Sequence, residues 1–222
     1  YTDCGIFTCK ESIGEDATAV FNMLSGYSEP RSWNELILAP YWLRDKFLYL
    51  IKREIKHVKE GKEGRIAAKM NSLCDSGIIA ALYEASAAGV KIDLIVRGIC
   101  CLKVGIPGVS ENITVRSIVG NFLEHSRIFY FENGGNIDVY MGSADWMPRN
   151  LDRRVEIIFP VLEDALKEKA VHILEVELAD NVKARVMEPD GNYVRVDKRG
   201  KQLVNSQRVF VEEAEQAVPK DT

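Results

Sequence analysis

The chain has three histidines, and one of them stands in a setting that suits phosphate chemistry. His125 lies in Glu124-His125-Ser126-Arg127, within a stretch that reads as a strand from Glu124 to Glu132. Alternation along a strand puts His125 and Arg127 on one face. A neutral imidazole attacks phosphorus or passes a proton near neutral pH. A guanidinium beside it neutralises phosphate oxygens. The other two histidines, His57 and His172, fall among Lys, Arg and Glu on helical segments and read as solvated residues.

Seventeen residues after His125 comes the turn Gly142-Ser143-Ala144-Asp145, where small residues let backbone N–H groups approach an anion. Arg97 ends the apolar run Ile92-Asp93-Leu94-Ile95-Val96, and ligands of α/β sheets bind at strand carboxyl ends. Lys69 and Asn71 share a face of an earlier strand and are candidates for the same anion; a pair facing water at the sheet edge is the competing reading. The loop after the Gly-Ser turn carries Arg149, Arg153 and Arg154, of which Arg149 is the candidate to face the pocket. Trp146 is expected to pack that loop rather than to bind a base.

These residues need a sheet to hold them. Ile13–Leu24 reads as a helix after a short strand at Ile6–Thr8. A second helix, Tyr41–Glu60, shows Leu43, Phe47, Ile51, Ile55 and Val58 on one face. Strand Arg65–Leu73 then alternates with a helix that Asp75 caps and Gly89 stops, followed by strand Lys91–Gly98. Further strands are expected at 114–119, 124–132, 137–142 and 154–161, with Asn133-Gly134-Gly135 as a hairpin signal. Helix 163–179, strands 182–187 and 193–196, and a polar helix 206–217 complete the chain. The alternation implies an α/β fold with a mixed sheet flanked by helices.

Composition bounds the rest. At 222 residues the chain can bury a core unaided. The balance of 29 Lys and Arg against 33 Asp and Glu gives −4, so a generally basic nucleic-acid binder is excluded. Five cysteines without a C-x-x-C pair read as reduced core residues in a cytoplasmic protein, and no metal site is expected in this stretch. The start at Tyr1-Thr2-Asp3 has no initiator Met and no signal-peptide pattern, and reads as a trimmed chain or a fragment.

The order of histidine, basic residue at +2 and Gly-Ser turn resembles the phospholipase D superfamily, whose pattern is H-x-K-x4-D followed by G-S-x-N. The chain departs from it: Arg127 replaces the lysine, Asp145 the asparagine, and no aspartate stands where the pattern wants one. A closer resemblance is carried by Ile95-Val96-Arg97-Gly98-Ile99-Cys100, Gly105-Ile106-Pro107-Gly108-Val109-Ser110, Phe122-Leu123-Glu124-His125, Phe131-Glu132-Asn133-Gly134-Gly135 and Gly142-Ser143-Ala144-Asp145-Trp146-Met147. Together with Tyr1-Thr2-Asp3 and Lys69-Met70-Asn71-Ser72-Leu73, these look like the C-terminal part of bacterial polyphosphate kinase.

That resemblance implies two phospholipase D-like domains sharing one site, with residues 1–34 as the tail of the preceding domain and 35–222 as the last domain. It implies reversible transfer of the ATP terminal phosphate to inorganic polyphosphate through a phosphohistidine located before Tyr1. It assigns His125 as the second active-site histidine, an acid or base, Arg97 as a phosphate ligand and Tyr1 as a neighbour of ATP. Lys69, Asn71, Ser143 and Arg149 remain further phosphate candidates. Mg2+ is expected, with its ligands mainly upstream, and the full-length protein is expected as a dimer or tetramer. The expected location is cytoplasmic, with peripheral membrane association left open, and the fragment alone is expected to be inactive. Two alternatives stay open: a phospholipase D-like phosphodiesterase half-site completed by dimerisation, and a non-catalytic polyphosphate-binding module.

Overall fold

Period-2 burial on two faces sets the architecture of the chain, which a computed structural model describes for residues 1–26, 30 and 32–217. Helix α1 (Glu11–Leu24) is followed by the short strand β1 (Ile37–Leu38) and helix α2 (Leu43–Lys59). Strand β2 (Arg65–Met70), helix α3 (Ser76–Ala87) and strand β3 (Lys91–Val96) form a βαβ unit, and β4 (Ile113–Ser117) continues it in parallel. The antiparallel part comprises β5 (Arg127–Phe131) and β6 (Asp138–Gly142), then, after the short helix α4 (Pro148–Asp152), β7 (Ile157–Pro160). Helix α5 (Asp164–Ala179), the hairpin β8 (Arg185–Met187) and β9 (Tyr193–Arg195), and helix α6 (Ser206–Ala217) end the fold. Among the described residues the strands form one mixed sheet in the order β1-β7-β6-β5-β2-β3-β4-β8-β9.

Each central strand divides its side chains between two cores. Ile66, Ala68 and Met70 of β2, Leu94 and Val96 of β3, and Phe129 and Phe131 of β5 pack with Phe47, Leu50 and Ile51 of α2 and Ile78 and Leu82 of α3. Ala67, Ile95, Ile128 and Tyr130 point the other way, onto Ala170 and Leu174 of α5. Trp146, fully buried, stacks on Phe129 and meets Phe47 edge-on, so it packs the loop as expected. Asp75 caps α3 by accepting from the Ile78 amide at 3.0 Å, a contact of about 1 kcal/mol.

The order of strands decides where chemistry gathers. Because β5 runs against β2 and β6, the carboxyl ends of β2, β3 and β6 meet the amino ends of β5 and β7 at one edge of the sheet. That edge carries Asn71, Arg97, His125, Arg127 and Ser143. Gly142 makes the approach possible: a Cβ there would lie 2.1 Å from the Ile157 carbonyl oxygen on β7.

The sequence expectations differ from the structure at several points. Ile6–Thr8 is not a strand: only Thr2 finds a ladder partner, at Glu124, and Phe7 is fully exposed. The strand expected over 124–132 begins only at Arg127, because the His125 amide is taken by the Thr2 carbonyl and the Ser126 carbonyl by Lys69. Likewise β2 ends at Met70, so Asn71 lies beyond the ladder and does not share a strand face with Lys69. Arg149 sits on α4 rather than in a loop, since Pro148 is preset for a first helical turn. The turn expected at 26–30 falls partly outside the described residues. Helix α1 is tied to the approach to β1: its buried Asp16 accepts the Glu35 and Leu36 amides at 2.7 and 2.8 Å.

Candidate functional site

His125 is held from both sides of its backbone. Its N–H donates to the Thr2 carbonyl at 2.9 Å, and its own carbonyl accepts from Arg127 Nη1 at 2.7 Å. The Tyr1 ring meets the imidazole edge-on, with centroids 4.9 Å apart. Nδ1 is buried and has no hydrogen-bond partner among the described residues. The partial burial of the ring, then the nearby Arg127 and Arg97, hold its basicity below the ordinary histidine value, while Asp3 and Asp145 pull the other way. The neutral imidazole is therefore the resident form at neutral pH.

Arg97 reaches the same place from the end of β3. Its Nε donates to Asn71 Oδ1 at 3.0 Å, and its Nη1 lies 3.4 Å from the Glu124 carbonyl. Gly98 allows this turn, because a Cβ would stand 2.9 Å from the Asn71 carbonyl oxygen. Asn71 thus orients the guanidinium while its own amide donates to Asp145 Oδ1 at 2.8 Å. Arg127 Nε pairs with the same oxygen at 3.1 Å.

Beside His125 opens a cleft of about 710 Å³, whose walls include Asp3, His125, Arg127, Ser143, Arg154 and Glu156. The Ser143 hydroxyl accepts from the Ile157 amide at 3.2 Å. The structure brings Tyr1, Arg97 and His125 together, with Asn71 behind Arg97 and Ser143 at the cleft. It does not bring Lys69 or Arg149 there. Lys69 is buried on the α5 side of the sheet, and Arg149 is exposed on α4, while Arg154 lines the cleft in its stead. His57 is partly buried rather than solvated, 3.2 Å from Asn133 Oδ1, and His172 pairs with Glu213 at 2.8 Å. Among the described residues no three His, Cys, Asp or Glu side chains converge as metal ligands.

Sequence reasoning missed Thr2, whose single bridge seats His125, and chose Arg149 over Arg154 among the three arginines after the Gly-Ser turn. Neither outcome carries a local signal, because both depend on how distant segments meet.

A histidine, two arginines and a polar cleft thus gather at the strand ends of an α/β domain. Comparison with known proteins specifies it. The family described as polyphosphate kinase C-terminal domain 2 matches residues 36–207. The polyphosphate kinase of Lactiplantibacillus plantarum is 52% identical over 221 residues, covering 100% of this chain and 31% of that protein. That of Synechocystis is 52% identical over 215 residues, covering 96% of this chain and 30% of the relative. The crystal structure of polyphosphate kinase from Porphyromonas gingivalis superposes with a TM-score of 0.90 at 41% identity, over 95% of this chain and 33% of that one. The chain belongs to the polyphosphate kinase family, and it spans about a third of the length of these relatives. Among the described residues no helix is long and apolar enough to cross a membrane.

Proposed function

We propose that this chain supplies one side of a shared phosphoryl-transfer site, at which the terminal phosphate of ATP passes reversibly to inorganic polyphosphate. The phosphorylated histidine belongs to the region that precedes Tyr1 in the longer relatives. His125 is the second histidine, Arg97 binds phosphate and Tyr1 flanks the nucleotide. The meeting of Tyr1, Arg97 and His125 at one sheet edge, in a chain of the polyphosphate kinase family, carries this reading.

In the direction of synthesis, a terminal phosphate hydroxyl of the polyphosphate chain attacks the phosphorus of the phosphohistidine. The new P–O bond forms as the N–P bond breaks, and the hydroxyl proton passes to neutral His125. In the reverse direction the imidazolium returns it. In synthesis the released histidine nitrogen takes a proton from solvent, and His125 returns its own to solvent before the next turn. Arg97, held by Asn71, stands where spreading negative charge needs a fixed cation. Ser143 extends the phosphate contacts along the cleft. Mg2+ accompanies ATP and ADP in this reading and is held by the preceding region. Assembly of the complete protein as a dimer or tetramer is part of the same proposal.

The test compares the full-length protein with its His125→Ala variant. Expected is loss of ATP-dependent polyphosphate synthesis with acid-labile phosphate still forming on the protein. Unchanged synthesis in the variant refutes the assignment.

A further inference from the structure

Lys69 is a basic side chain near His125 that turns away from the cleft. It lies on β2 with the parity of Ala67, so it projects to the α5 side of the sheet, where its side chain is 4% exposed. Its ammonium donates to the Ser126 carbonyl and to the Ser126 hydroxyl, both at 3.0 Å. Glu177, in the last turn of α5 and 2% exposed at its side chain, places Oε1 3.7 Å away. Both Glu177 carboxylate oxygens are otherwise without a hydrogen-bond partner among the described residues.

Burying this pair is costly. Two ionisable groups leave water, and an apolar pair of the same volume often serves stability as well or better. What the pair does instead is specific. The His125–Ser126 stretch stands outside the β5 ladder, so the sheet does not fix it. Thr2 holds it at the His125 amide and Arg127 at the His125 carbonyl. Lys69 grips the next peptide from inside the sheet, and it does so through two acceptors of one residue, which fixes direction as well as distance.

We infer that Lys69, packed beside the buried Glu177 carboxyl, is a positioning residue for His125: it clamps the Ser126 peptide and thereby sets where the imidazole points. Lys69 contacts no ligand in this arrangement. Its effect on turnover rests on the role proposed for His125, whereas its effect on the imidazole does not.

The experiment uses the full-length protein, labelled with 13C-histidine, in wild-type, Lys69→Met and Ser126→Ala forms, with His125→Ala to assign the resonance. In folded Lys69→Met, the His125 signal and its titration should shift, and kcat for polyphosphate synthesis should fall about tenfold to a hundredfold, the scale of a misplaced reacting group. KM for ATP should stay within about twofold, since ground-state binding is untouched. Ser126→Ala, which keeps the carbonyl contact, should shift the same signal by less. A purely structural lysine would lower the yield of folded protein and leave the His125 signal of that protein at its wild-type position, which overturns the inference. Should Lys69→Met fail to fold, Ser126→Ala decides alone, and an unmoved His125 signal there overturns it. Synthesis surviving in His125→Ala would refute the functional reading, while the shift of the signal in wild-type against Lys69→Met protein would still judge the clamp.

Discussion

Arg127 and Asp145 form a buried ion pair, Nε to Oδ1 at 3.1 Å, with side chains only 11% and 5% exposed. These are the two positions at which the sequence differs from the H-x-K and G-S-x-N pattern, and in the structure they are in contact. The same Asp145 oxygen accepts the Asn71 amide, and Arg127 Nη1 donates to the His125 carbonyl. One pair thus joins the ends of β2, β5 and β6 behind the imidazole. A lysine in place of Arg127 offers no second nitrogen in a fixed fork for the His125 carbonyl.

Breaking one side of that pair strands a charge in the interior. Asp145→Asn and Arg127→Met should each lower stability by about 3 kcal/mol. Combined, they should cost clearly less than the sum, because the second change removes the charge the first left unpaired. Denaturant unfolding of the two single variants and the double variant measures this. Strict additivity would show that the pair contributes no coupling.

Under the role proposed for His125, its depressed basicity should limit activity on the acid side. Burial and the two arginines favour its neutral form. If the imidazole accepts the proton in synthesis, kcat/KM should fall on acidification only below the ordinary histidine value of 6.5. Arg97→Gln removes one of the cations that depress it, so the acid limb of any residual activity of that variant should move to a higher pH. Rate profiles of the full-length protein across the acid and neutral range decide it, and a limb unmoved by that change would disconnect Arg97 from the titrating group.

The sheet is largely legible in the sequence because apolar alternation and the Gly, Asp and Asn punctuation are local signals. The site is legible in residue types but not in assembly. Nothing around Lys69 announces that it points inward, since a lysine at a strand end faces water more often than not. What turns it is Glu177, far along the chain on α5. The start of β5 escapes a sequence reading for a related reason. Residues 124–126 adjoin the apolar run of β5 in sequence, but their hydrogen bonds go to the Thr2 backbone and the Lys69 side chain instead of the β2 backbone. Both cases are decided by partners remote in sequence, which periodicity within a window does not register.

Glu177 gives the fold a dependence on pH that can be read without any substrate. Burial is the largest influence on its carboxyl and raises it to about 7; Lys69 opposes the shift, and the nearby Glu124 and Asp180 add to it. In the unfolded chain the same group releases its proton near the ordinary value of 4.5. Between these two values the folded state binds more protons than the unfolded one, so stability falls as pH rises. The contribution is complete below about 4.5 and gone above about 7, and its full span is at most about 3 kcal/mol. Glu177→Gln keeps the side-chain volume and abolishes the titration. Unfolding free energies at about pH 5 and about pH 8, on either side of the raised value, should therefore show wild type losing more stability than Glu177→Gln over that interval. Parallel losses in the two proteins would mean that Glu177 ionises in the folded state as it does in water, and that the charge facing Lys69 is present throughout.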